Sequence, residues 1–184
     1  MSLQLSEKPL LEAEAIQKRI AVLATEIEKE YPCDLLVGVL TGAFIFVADL
    51  VRQMNPDIKL AFVKAESYGD SDTSCGDVRF AGIEKMNVKD KRILVIDDIL
   101  DTGHTLKALT KVMQNCGAIS VKSCVLLDKP SRREVAFEAD FKGFVIENLF
   151  AVGYGLDYAD NYRAARNLYV AGKRRAPVRG PRES

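Results

Sequence analysis

The sequence predicts an α/β protein built on a mostly parallel, twisted sheet with helices on both faces. Three observations carry this expectation. Asp34 to Leu40 and Arg92 to Ile96 are short, continuous apolar runs of the kind found in strands buried on both faces. Segments of helical periodicity alternate with such runs, the pattern of strand-helix-strand units joined by right-handed crossovers. The runs give way to Thr41-Gly42 and to Asp97-Asp98, small and acidic residues at strand ends where open parallel sheets bind ligands.

The elements follow in order. From Leu11 to about Glu28, Leu11, Ile16, Ile20, Leu23 and Ile27 recur at helical spacing among Glu, Gln and Lys, giving an amphipathic helix that covers one face. After the first strand, Ala43 to Gln53 reads as a helix and Lys59 to Ser67 as a strand. Tyr68 to Asp77 has almost no apolar content and many turn formers, so a mobile surface loop is expected there. Arg92 to Ile96 is the next strand, Thr105 to Gln114 a helix closed by Cys116-Gly117, and Val121 to Leu127 a further strand. Beyond Pro130 the segments Phe141 to Ile146 and Phe150 to Tyr158 are short and aromatic-rich, and they are expected to form a small hood over the end of the sheet. The expected organisation is one domain over residues 1–172, its hood formed mainly by about 130–170, followed by a disordered tail over 173–184. That tail has two prolines, five basic side chains and no apolar periodicity.

Composition excludes several classes. The 26 basic and 26 acidic residues cancel, so no global field draws the chain to nucleic acid or to an anionic membrane, and neither is an expected partner. The compact apolar stretch Ala43 to Val51 is interrupted by Asp49 and falls short of the ~20 residues that a membrane span needs. No basic region followed by an apolar one opens the chain, so a cytoplasmic protein is expected. Cys33, Cys75, Cys116 and Cys124 are far apart and His104 is the sole histidine, which argues against structural zinc.

The chemistry is concentrated in Ile93-Leu94-Val95-Ile96-Asp97-Asp98-Ile99-Leu100-Asp101-Thr102-Gly103-His104-Thr105-Leu106, an apolar strand that runs through carboxylates and a small polar turn into a helix. Asp97 and Asp98 are placed to accept hydrogen bonds from a vicinal diol. The turn from Asp101 to Thr105 offers backbone N–H groups, two threonine hydroxyls and a helix start, a set suited to a phosphate dianion. Diol and phosphate together describe a ribose 5-phosphate. A helix cap alone accounts for one such side chain, not for three aspartates and two threonines at the end of a core strand. Neither GxxxxGK[ST] nor a GxGxxG after a strand is present.

On these residues the chain resembles the type I phosphoribosyltransferases, and from about Leu35 to Val170 it is similar to their hypoxanthine-guanine branch. The likeness extends to Leu40-Thr41-Gly42, to Ser67-Tyr68, to Leu126-Leu127-Asp128-Lys129, and to Phe150-Ala151-Val152-Gly153-Tyr154-Gly155-Leu156-Asp157-Tyr158. Where relatives often carry Glu this chain has Asp97, of the same charge and shorter reach. Some relatives also carry Lys or Arg at the position of Thr41, which leaves backbone groups to serve here.

The resemblance implies transfer of the phosphoribosyl group of PRPP to hypoxanthine or guanine, giving IMP or GMP plus pyrophosphate, with Mg²⁺ as cofactor and a homodimer or homotetramer as the assembly. It assigns ribose-phosphate binding to Asp97, Asp98, Asp101, Thr102, Gly103 and Thr105, and pyrophosphate binding to Leu40, Thr41, Gly42 and Arg163, with a cis peptide between Leu40 and Thr41. Purine binding falls to Lys129, Phe150, Ala151 and Asp157, with Lys129 donating to the O6 oxygen and Phe150 stacking on the ring. Metal-linked duties fall to Asp97, Asp98 and Asp157, Ser67 and Tyr68 begin a lid, and Asp101 is the catalytic carboxylate that faces N7. His104 sits at a position that tolerates many residues and is not assigned a catalytic role. Two rival readings share the fold: a PRPP-sensing regulator that binds nucleic acid, which calls for a basic face or an added domain, and a phosphoribosyltransferase for another base, whose final segment would not read as Phe150 to Asp157.

Overall fold

The computed structural model describes residues 3–66 and 79–173. Its elements are β1 (Leu3–Leu5), α1 (Ala13–Glu30), β2 (Leu35–Leu40), α2 (Phe44–Val51), β3 (Lys59–Glu66), β4 (Arg79–Ala81), β5 (Arg92–Leu100), α3 (His104–Asn115), β6 (Ser120–Asp128), β7 (Phe141–Val145), β8 (Ala151–Val152) and β9 (Tyr169–Lys173). The main sheet runs β4-β3-β2-β5-β6-β7, parallel except for the short edge strand β4.

The strand residues sort onto two faces with a period of two. Leu36, Leu94, Ile96, Cys124 and Leu126 share a core with Ile16, Ile20, Leu23 and Ile27 of α1 and with Phe46, Val47 and Leu50 of α2. Val37, Val39, Ile93, Val95 and Val125 face the other way, onto Leu106, Leu109 and Met113 of α3. Burial on both faces is why β2 and β5 read as unbroken apolar runs. At the start of α1 no side chain of the helix itself supplies a cap; the Ala13 N–H instead donates to Asn167 Oδ1 at 2.8 Å.

Strand order fixes where a ligand can enter. From β2 the chain crosses to β3 on one side, whereas β5, β6 and β7 follow one another on the other side, so the order reverses between β2 and β5. The register between these two strands runs from Leu35–Ile93 to Gly38–Ile96, and Asp97 and Asp98 come next on β5. The crevice at that reversal is the expected binding place in an open sheet of this kind.

The hood differs from the sequence expectation in two ways. Phe141 to Ile146, assigned to it above, instead supplies β7, which pairs in parallel with β6 from Cys124–Phe141 to Asp128–Val145 and extends the main sheet. The hood sheet is β1-β9-β8, antiparallel, so residues from the amino terminus complete it through pairing of Leu3–Leu5 with Ala171–Lys173. It is moored to the helical layer by Tyr154, whose hydroxyl donates to Asp49 Oδ2 at 2.5 Å beside Gln17; burial pushes that hydroxyl's pKa up and keeps it a donor. Strand β5 also continues past Ile96 to Leu100, which puts both predicted diol carboxylates inside the strand. Ser67 and Tyr68, Cys75 and residues 174–184 lie outside the described residues. No helix among the described residues is long and apolar enough to cross a membrane.

Candidate active site

Two adjoining cavities open at the carboxyl end of the sheet. One, of about 220 Å³, is lined by Asp97, Asp98, Asp101, Thr102, Gly103 and Thr105 together with neighbouring apolar residues. The other, of about 260 Å³, is lined by Gly42, Asp98, Asp101, Lys129, Phe150, Ala151, Asp157 and Arg163, with Ile99 and Leu156 between them. They share Asp98, Ile99 and Asp101. Sequence positions more than a hundred residues apart, Gly42 and Arg163 among them, thus meet around one cleft. A larger depression of about 890 Å³ lies at the opposite ends of β2, β3 and β5, among Cys33, Asp34, Lys59 and Lys91, and contains none of the predicted ligand groups.

Asp97 and Asp98 form the floor. The Asp98 N–H donates to Asp97 Oδ1 at 2.9 Å. Burial raises the pKa of both carboxyls, and the neighbouring Asp98 charge raises that of Asp97 further. Two adjacent acids of this kind, Asp97 buried and Asp98 partly so, are suited to receive hydrogen-bond donors or a cation. Gly42 belongs to the same arrangement, because a Cβ there would lie 1.8 Å from Asp98 Oδ2, and any larger residue would displace the carboxylate. The Leu40–Thr41 peptide just before it is cis.

The elevated pKa values fix the sign of a stability effect. Carboxyls whose folded pKa is raised contribute stability that is complete below the unfolded value and lost as pH rises through the folded one. At neutral pH the pair therefore burdens the free protein. Asp97→Asn is expected to raise the melting temperature at pH 7, by about 2–4 °C for each kcal/mol regained in a chain of this size. Differential scanning calorimetry of both proteins at pH 7 reads this directly, and an unchanged or lower Tm would mean that the carboxyl is well compensated where it stands.

The turn expected to bind phosphate follows β5. Gly103 adopts φ 92°, a left-handed conformation that favours glycine, and α3 starts at the next residue with no side chain capping its first turn. The reading of these aspartates and threonines as cap residues is thereby removed. His104 points outward and meets Glu134 at 3.2 Å, with both side chains more than half exposed.

Asp101 lies among cations. Arg132 Nε donates to its Oδ1 at 3.1 Å, and Lys129 Nζ stands 4.0 Å from Oδ2. Lys129 is only 6 % exposed although charged, and burial lowers its pKa. Above it Phe150 presents an exposed ring, held edge-on by Tyr158 with centroids 5.9 Å apart. Asp157 pairs with Arg163 at 2.7 Å, and Arg163 also donates to the Gly155 carbonyl at 2.8 Å. Each predicted residue within the described range except Leu40 and Thr41 lines the cleft. Those two lead into Gly42, which does. Arg132 and Arg133 were not anticipated from the sequence: no motif marks them, and only the fold brings them to the phosphate turn.

No group of three or more His, Cys, Asp or Glu side chains among the described residues is arranged to hold a metal ion unaided. The paired carboxylates of Asp97 and Asp98 are nonetheless hard oxygen donors of the type that suits Mg²⁺, an ion commonly bound by one or two carboxylates together with substrate oxygens and water.

Comparison with known proteins identifies the family and the fold. The profile of the phosphoribosyl transferase domain matches residues 6–159. Hypoxanthine-guanine phosphoribosyltransferase of Bacillus subtilis is 42% identical over 159 residues, covering 85% of this chain and 88% of that one. Hypoxanthine phosphoribosyltransferase of Escherichia coli is 40% identical over 152 residues, covering 80% and 85% respectively. The crystal structure of a hypoxanthine phosphoribosyltransferase from Staphylococcus aureus superposes with a TM-score of 0.82 at 34% identity, over 90% of this chain and 91% of that chain.

Proposed function

We propose, from the premise that this chain belongs to the phosphoribosyltransferase family and is a purine-salvage enzyme of it, that it converts hypoxanthine and guanine with PRPP to IMP and GMP, releasing pyrophosphate. The observation that carries the reading is the meeting, in one cleft, of the Asp97–Asp98 floor, the phosphate turn and the buried Lys129.

In this reading the ribose hydroxyls of PRPP lie on Asp97 and Asp98, whose raised pKa values suit groups that receive donors on binding. The 5-phosphate takes the N–H groups of the turn and the hydroxyls of Thr102 and Thr105. Leu40, Thr41 and Gly42 offer main-chain groups to pyrophosphate, and Arg163 adds a cation once its pairing with Asp157 is shared with that ligand. Asp97, Asp98 and Asp157 would hold Mg²⁺, which when bound would supply positive charge to the departing pyrophosphate.

The purine stacks on Phe150, accepts at O6 from Lys129 and meets main-chain groups at Ala151, with Asp157 beside it. As the C1–O bond breaks and the bond to N9 forms, the ring gains positive charge and its N7–H turns acidic. Asp101 then accepts that proton. Ser67 and Tyr68 open the segment proposed to close over the cleft and exclude water. The enzyme is proposed to be cytoplasmic and to assemble as a homodimer or homotetramer. A regulatory role on nucleic acid is disfavoured by the balanced charge.

Lys129 should also select among bases, because a cationic donor suits a 6-oxo group and leaves a 6-amino group unpaired. Steady-state rates with hypoxanthine, guanine, xanthine, adenine, uracil and orotate at saturating PRPP test this. Turnover confined to 6-oxopurines is expected. Preference for adenine or a pyrimidine would assign the enzyme to a different base.

A further inference from the structure

We infer that Arg133 is a positioning residue for the phosphate turn, a role that rests on the proposed PRPP chemistry. Its guanidinium is largely buried, with the side chain 11% exposed. Nη1 donates to the carbonyls of Leu100, at 3.0 Å, and of Asp101, while Nη2 donates to the fully buried Asp128. Lys142 Nζ closes the group from the other side, 3.1 Å from Asp128 Oδ2. One residue further along the turn, the Thr102 carbonyl accepts from the N–H groups of Glu134 at 3.0 Å and Val135 at 3.3 Å. Three consecutive carbonyls, those of residues 100, 101 and 102, are thus drawn toward one segment just past β6.

The consequence comes from the peptide bond itself. In a planar trans peptide the carbonyl and the following N–H point in opposite directions, and the only cis bond among the described residues is Leu40–Thr41. Holding the carbonyls of 100, 101 and 102 therefore turns the N–H groups of Asp101, Thr102 and Gly103 away from that segment, as a set of donors fixed before any ligand arrives. A row of successive N–H groups of this kind makes a concave anion site. Arg133 anchors the Asp101 carbonyl and adds a second donor to that of Leu100, which also accepts from the Lys129 N–H at 3.0 Å, and Asp128 and Lys142 keep its fork oriented. It packs behind Gly103, where an added Cβ would lie 3.1 Å from Arg133 Cδ, and it does not line either cavity. Neighbouring Arg132 holds the Asp101 side chain, so the two adjacent arginines fix that residue at both its carboxylate and its carbonyl.

A planar fork that bridges two carbonyls and a carboxylate cannot be copied by an ammonium. The test compares wild type with Arg133→Lys and Arg133→Met for IMP formation, determining kcat and KM for PRPP and for hypoxanthine separately, with thermal midpoints for each protein. KM for PRPP should rise about tenfold in Arg133→Met and less in Arg133→Lys, the lower end of the roughly 10–100-fold range found when groups that orient a metal's ligands are removed. KM for hypoxanthine at saturating PRPP should stay within about twofold of wild type. Should Arg133→Met fail to fold, Arg133→Lys alone decides by the same split. An unchanged KM for PRPP in a folded variant, or equal rises in both KM values, overturns the inference while leaving the enzyme's assignment intact. A wild-type protein that makes no IMP removes that assignment, and this inference with it.

Discussion

Asp101→Asn is expected to lower kcat by about 10²- to 10⁴-fold, the usual worth of a positioned acid or base, with little change in PRPP affinity. The asparagine keeps size and backbone and loses the charge that favours a transition state in which the purine ring carries positive charge. PRPP affinity is preserved because Asp97, Asp98, Thr102 and Thr105 line the adjacent cavity. In the free protein Asp101 is engaged by Arg132 at 3.1 Å and flanked by Lys129 at 4.0 Å. In the proposed reaction purine entry draws Lys129 toward O6 and leaves the carboxylate facing N7. His104→Ala should behave as wild type, since that ring is exposed and meets only Glu134. Rates and PRPP binding measured side by side on both variants decide the matter. Full kcat in Asp101→Asn together with an inactive His104→Ala would transfer the role to the histidine.

The second large effect is expected at Lys129. Burial has already removed much of the water from its ammonium, and its ion pair with Asp101 stands at the 4.0 Å limit, with the Asp98 charge acting on it as well. In the proposed reading an O6 acceptor completes its coordination. Lys129→Met retains the aliphatic stem and deletes the donor, and a hydrogen bond to a charged group is worth about 1.5–3 kcal/mol. KM for hypoxanthine and guanine should therefore rise about 10- to 10²-fold, with KM for PRPP nearly unchanged. Discrimination against adenine should shrink in the same variant, because the group that rejects a 6-amino substituent has gone. Steady-state parameters for the three bases read both effects, and unaltered selectivity would place O6 recognition elsewhere.

What the sequence disclosed and what it withheld divide along a physical line. The β5–turn–α3 segment was legible because strand burial, carboxylates, glycine turn and helix start are consecutive in the chain, so local chemistry names the site. Lys129, Phe150 and Asp157 were legible only by resemblance, since a lysine after a strand or an aromatic in a short segment has no local signature. The pairing of Leu3–Leu5 with Ala171–Lys173 joins the two ends of the described chain, and no periodicity within either segment encodes it. β7 escaped for a related reason: five residues at a sheet edge, mostly half-buried, carry neither the unbroken apolar run of β5 nor a clean alternation. The role of Arg133 was invisible because two of its three partners are main-chain carbonyls, which every sequence possesses and only a fold can place.

The most direct test of the whole account is to follow IMP and pyrophosphate together from PRPP and hypoxanthine, with Mg²⁺ and with a chelator in its place. Both products are expected to appear one for one with Mg²⁺, and neither once it is removed. Folded protein that yields no IMP with Mg²⁺ present, or that releases pyrophosphate from PRPP without consuming the purine, would contradict this expectation.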